Sequence, residues 1–183
     1  MPAIYIIRHC AASGQEPDAE LTKRGKKQAV ELAGFLADAN IDRIISSPYT
    51  RAVQSIEPLA ETLAVEIETD ERLKERVLSS GELPDWLEQL KNTFENYDFA
   101  LEGGESSQQA LDRISQVVEE LENSGCQTAA IVTHGNIMAL LLSRYMKGFG
   151  FEGWCSLSNP DVFLLNEGDV EEECKRLWSE ATR

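Results

Sequence analysis

Histidine is almost missing from this chain. Its 183 residues hold two, His9 and His134. With no His-Glu-x-x-His segment either, too few clustered ligands remain for a catalytic zinc, and no metal or cofactor is expected. Positive charge is also scarce: 17 Lys and Arg stand against 32 Asp and Glu, a formal net charge of -15. Nucleic acids and anionic membranes are bound through Lys and Arg, so neither is an expected partner. No apolar run approaches the ~20 residues of a membrane span. The N-terminus lacks the charged and hydrophobic pattern of a signal peptide, and the expected location is the cytoplasm. The four cysteines, Cys10, Cys126, Cys155 and Cys174, form no Cys-x-x-Cys pair and read as free thiols of a reducing compartment. A cysteine-dependent phosphatase would want an arginine six residues after its nucleophile; that position is Glu16.

What is present alternates between strand and helix patterns. Ala3 to Arg8 reads as a strand, and a helix follows Thr22 with Ala29, Leu32, Ala33 and Leu36 on one stripe. Arg43 to Ser46 is a short second strand. A helix from about Arg51 to Leu63 contains Pro58, which is expected to bend it or limit its second half. Val65 to Thr69 reads as a third strand. After an irregular stretch with a helical pattern through Trp86, Leu87, Leu90 and Phe94, Ser106 and Gln109 form a capping box. That box opens a helix with Leu111, Ile114, Val118 and Leu121 inward. A strand ending at Thr133, a helix from Ile137 to Met146, and one or two closing strands around Leu157 and Val162 to Leu165 complete the order. The tail from Glu167 to Arg183 reads as a partly ordered helix.

This rhythm implies one domain over 1–183: a three-layer α/β/α sandwich with a mostly parallel sheet. The irregular stretch, about 76–104, is expected to form a small helical lid over the strand ends, and about 167–183 an acidic tail. Trp86, Phe94, Tyr97 and Phe99 are read as lid core.

Both histidines close strands, where ligands bind in open parallel sheets. Arg8 adjoins the first, and Arg51 is available nearby in the order of elements. Histidines and arginines together suit a phosphate dianion, because guanidinium forks match phosphate oxygens and neutral imidazole is a nucleophile near neutral pH.

The segments Ile7-Arg8-His9, Leu21-Thr22-x-x-Gly25, Ser46-Ser47-Pro48-x-x-Arg51-Ala52, Leu73-x-Glu75, Gly104-Glu105-Ser106 and Val132-Thr133-His134-Gly135 occur in one order. Together they resemble the histidine phosphatase superfamily, also called the phosphoglycerate mutase-like family, over about residues 3–165. The resemblance implies that His9 is the nucleophile that becomes phosphohistidine. It implies that Arg8 and Arg51 grip the phosphoryl group, and that a positively charged His134 contacts it. It implies Glu75 as proton donor, with Glu71 and Glu82 as rivals. Thr22 and Ser47 are expected to support the pocket. Glu105 is explained equally by a pocket role and by charge favouring a helix N-terminus.

Two positions depart from the family pattern. Cys10 stands where the family usually has Gly, and either narrows the pocket or turns into the core. Ala11 replaces a residue that is often polar. The chain lacks the Trp-Asn that generally follows Arg-His-Gly in the mutases, and it has the shorter insertion. The expected activity is therefore metal-independent hydrolysis of a small phosphorylated metabolite. Phosphoglycerate mutase-type transfer and a non-catalytic phospholigand-binding module stand as alternatives. The sequence leaves the substrate and the oligomeric state open.

Overall fold

A computed structural model describes residues 2–165 and 174–179. Among these, six strands form one sheet in the order β3-β2-β4-β1-β5-β6. β1 (Ala3–Arg8), β2 (Arg43–Ser46), β3 (Ile67–Thr69) and β4 (Thr128–Thr133) run parallel, while β5 (Asp161–Leu165) pairs antiparallel with β1.

The layers follow from side-chain alternation along the strands. Ile4 and Ile6 of β1 with Ala129 and Ile131 of β4 pack against α4 (Ser107–Glu122) and α5 (Gly135–Tyr145). Ile7, Ala130 and Val132 point the other way, onto α1 (Lys23–Leu36) and α2 (Thr50–Leu63). The expected α/β/α sandwich is therefore the observed one. The inward stripes of α1 and α4 are buried as their spacing predicts, and Ser106 caps α4 with the full capping box.

Some elements differ from expectation. α2 continues past Pro58 to Leu63, so the proline does not limit its second half, and Leu59 and Ala60 keep the packed face buried. β3 is two residues shorter than expected. α5 begins at Gly135, straight off the end of β4, with His134 as its N-cap. Leu157 belongs to no strand; it follows a short helix, α6 (Phe151–Cys155), that the sequence reading did not contain. The tail is not helical where it is described. Cys174–Ser179 forms β6, antiparallel to β5. β5 would otherwise present an unpaired edge, and Trp178 buries its ring against the face that carries α1 and α2. The rest of the tail lies outside the described residues.

The stretch between β3 and α4 holds a 3-10 turn (Glu71–Leu73) and α3 (Trp86–Glu95). Phe94 and Tyr97 pack on Ala110, Leu111 and Leu140 as lid core. Trp86 departs from that reading, being half exposed. Among the described residues no helix is long and apolar enough to cross a membrane.

Candidate active site

The ends of β1, β2 and β4 meet the start of α5, and this junction gathers the residues named from the sequence. The His9 and His134 rings lie 5.1 Å apart between centroids. Both are buried, at 7% and 0% exposure.

His9 has a defined tautomer. Its Nδ1 lies 2.7 Å from the Cys10 carbonyl oxygen. A carbonyl only accepts, so Nδ1 carries the proton and Nε2 keeps its lone pair. Arg51 Nε donates toward that lone pair at 3.3 Å. Burial, foremost, pushes the His9 pKa down to about 3; the Cys10 bond opposes this, and Arg51 and Arg8 add to it. The ring is therefore neutral at physiological pH.

Arg51 comes from the first turn of α2. It is 1% exposed, and its Nη1 donates to the Glu16 carbonyl at 2.8 Å. Tyr49 lies under the same guanidinium, 5.0 Å from its centre, and edge-on to His134 at 5.0 Å. Arg8, the last residue of β1, donates from Nη1 to the carbonyls of Leu157 and Ser158 at 3.2 and 3.3 Å. Its buried Nε has no hydrogen-bond partner among the described residues.

His134 shares a 2.8 Å hydrogen bond between Nε2 and the Ser47 hydroxyl, while its buried Nδ1 has no partner among the described residues. Burial first, then His9, Arg51 and Arg8, holds its pKa well below the ordinary value. The protein's own groups thus favour a neutral His134, contrary to the positive charge expected from the resemblance. A dianion among these cations would reverse the Coulombic part of that balance.

Glu75 is held at the N-terminus of α5. Oε2 accepts from Asn136 N at 3.0 Å, and Oε1 accepts from Ile137 N and Arg76 N at 3.1 and 2.8 Å. Oε2 keeps a lone pair that can hold a proton. Of its rivals, Glu71 is exposed and paired with Lys74, while Glu82 lines the same cavity but stands exposed on the lid. Glu105 is engaged by Arg113 through both oxygens at 2.7 and 2.8 Å. Arg113 also donates to the carbonyls of Arg72 and Lys74, so it clamps the segment that carries Glu75.

Ser47 and Thr22 sit behind the site. Thr22 caps α1, its hydroxyl accepting from Gly25 N and donating to the Ala11 carbonyl. Gly25 explains the spacing of that motif: a Cβ there would lie 2.0 Å from the Ala11 oxygen. Cys10 turns into the core rather than the pocket; it is 0% exposed, and its N–H donates to Ser55 Oγ at 2.8 Å.

The sequence reading missed the loop before β5. Asn159 Nδ2 donates to the His9 carbonyl at 2.8 Å, and Gln28 bridges Ala11 N and the Asn159 carbonyl. The fully buried Asp161 accepts from Ser158 N and pairs with Arg176 of β6. This loop holds both Arg8 and the backbone of His9. Its only sequence signal was Asn-Pro, which reads as a turn.

Beside these groups opens a cavity of about 810 Å³, with Arg51 and Glu75 in its wall and the lid segment from Arg76 to Trp86 supplying much of the rest.

Comparison with known proteins agrees with the geometry. The family model for the histidine phosphatase superfamily (branch 1) matches residues 4–177. A candidate phosphoserine phosphatase (phosphoserine phosphatase 2) of Hydrogenobacter thermophilus is 29% identical over 169 residues, covering 83% of this chain and 82% of that protein. A probable phosphoglycerate mutase, GpmB, of Shigella dysenteriae is 26% identical, covering 88% and 85%. The structure of mycobacterial glucosyl-3-phosphoglycerate phosphatase with inorganic phosphate superimposes with a TM-score of 0.76 at 24% identity, covering 98% of this chain and 97% of that one. The chain belongs to the histidine phosphatase superfamily, branch 1.

Proposed function

We propose that the chain is a metal-independent phosphomonoester hydrolase that works through a phosphohistidine on His9 and acts on a small phosphorylated metabolite. The observation that carries this reading is the state of His9: neutral, with Nδ1 bonded to the Cys10 carbonyl and the Nε2 lone pair facing Arg51.

In the first step Nε2 attacks phosphorus in line while Glu75 gives a proton to the departing alkoxide. Arg8, Arg51 and His134 neutralise the phosphoryl oxygens. The buried Arg8 Nε and His134 Nδ1 supply two donors for those oxygens, and Ser47 fixes the ring that bears the second. In the second step Glu75, now a carboxylate, takes a proton from water as its oxygen attacks phosphohistidine. Phosphate leaves and neutral His9 returns. The same cations do the charge neutralisation that a metal ion does in other phosphoryl transfers.

Acid-labile, alkali-stable phosphate trapped on the protein by rapid quench of a ³²P-labelled ester, and absent from His9→Ala, is the expected outcome. Turnover in wild type with hydrolysis rates unaffected by His9→Ala would contradict it.

A further inference from the structure

The cavity beside the site differs at its two ends. Arg51 and Glu75 form the reacting end. Tyr49 stands beside Arg51 at that end, and the rest of the lining is apolar at Val77, Leu83, Pro84 and Trp86 and polar at Gln15 and Ser79. Val77 is 47% exposed and Trp86 50% exposed, so two large apolar side chains stand open to solvent at this wall. Trp86 is steadied by an edge contact with Trp154 of α6, 6.3 Å between centroids, and Trp154 in turn lies 5.6 Å from Phe151.

Charge beyond the reacting end is accounted for by two residues of the wall. Arg76 is turned away from the cavity. Its Nε and Nη2 donate to the Glu105 carbonyl at 3.2 and 2.8 Å, its Nη1 donates to the hydroxyls of Thr93 and Ser107 at 2.8 and 3.0 Å, and it is 6% exposed. Glu82 is exposed and negative. Lys74, whose ammonium lies 6.0 Å from the Tyr49 ring, is paired with Glu71 and is not part of the wall.

We propose that this pocket selects monophosphate esters of uncharged alcohols with a ring or other bulky apolar body, and discriminates against esters that carry a second anionic group. The inference rests on the hydrolase reading above. Apolar area buried against Tyr49 and Trp86 favours such an ester. A second carboxylate would lose water at an apolar wall, meet no available guanidinium, and face Glu82. A cavity of about 810 Å³ has room for a ring-bearing leaving group.

The test compares 2-phenylethyl phosphate with 3-phosphoglycerate and phosphoserine, all alkyl esters, with p-nitrophenyl phosphate as a reporter of hydrolysis. kcat/KM for the phenylethyl ester is expected to exceed both anionic esters by about tenfold or more, the scale on which apolar pocket contacts discriminate. Trp86→Ala is expected to shrink that ratio, and Val77→Arg to raise kcat/KM on 3-phosphoglycerate. Turnover of p-nitrophenyl phosphate together with equal or better use of the anionic esters would overturn the inference and leave the hydrolase reading standing. A ratio unmoved by Trp86→Ala would overturn it too. No turnover of any ester, p-nitrophenyl phosphate included, would overturn both.

Discussion

Arg51 Nε reaches His9 Nε2 at 3.3 Å, on the nitrogen that the bond to the Cys10 carbonyl leaves unprotonated. In the proposed reaction one guanidinium thus orients the nucleophile and stands where the phosphoryl oxygens pass. The proposed attack needs that ring neutral, and burial holds it so.

A neutral buried His9 has a cost in acid. Its folded-state pKa, about 3, lies below the unfolded value near 6.5. The unfolded chain therefore binds more protons between these values, and stability falls as pH drops from about 6.5 toward 3. His134 is shifted in the same direction. Urea unfolding at pH 7 and pH 5 is expected to show His9 alone contributing a loss of about 2 kcal/mol. His9→Asn is expected to show a shallower decline; a slope identical to wild type would contradict the buried neutral ring.

Glu75 is expected to matter in proportion to the leaving group's need for a proton. Glu75→Gln keeps one oxygen, which can serve Ile137 N and Arg76 N, and turns an NH2 group toward Asn136 N. It should lose about a hundredfold or more on alkyl phosphates, the usual scale of general acid catalysis, and much less on p-nitrophenyl phosphate. Equal losses on both would remove Glu75 from the acid role.

Gly135 owes its identity to Arg8. A Cβ there would lie 2.9 Å from the guanidinium carbon. Gly135→Ala should displace that fork and reduce kcat/KM by about a hundredfold, as small misplacements in positioned sites do. An active enzyme with the alanine would mean that Arg8 does not need its present place.

The sheet, its two helical layers and the positions of both histidines were legible because periodicity and strand ends are local properties. Arg8, Arg51, Glu75 and His134 were legible through motif order, and the structure brings them to one junction. The loop at Ser158 to Asp161 was not. Asp161 meets Arg176 across 15 residues, and Ser158 meets Arg8 across 150, and no pattern in sequence reports pairings at such separations. β6 was missed for a related reason. Its acidic surroundings suggested a partly ordered helix, while the deciding factor was the open edge of β5.

Arg176 gives that loop a measurable consequence. Arg176→Met removes the partner of a fully buried carboxylate and should lower stability by about 1–3 kcal/mol, reduced by the partial exposure of the arginine. Because Asp161 and Ser158 lead to Arg8, KM for a phosphate ester should rise as well. A stable variant with unchanged KM would show that β6 does not support the site.

The central claim is that His9 carries the phosphoryl group without a metal ion. Its most direct test is p-nitrophenyl phosphate hydrolysis in EDTA by wild type and by His9→Ala. Full activity in wild type and none in the variant is the predicted result. Activity that survives in folded His9→Ala, or that EDTA abolishes in wild type, would contradict it.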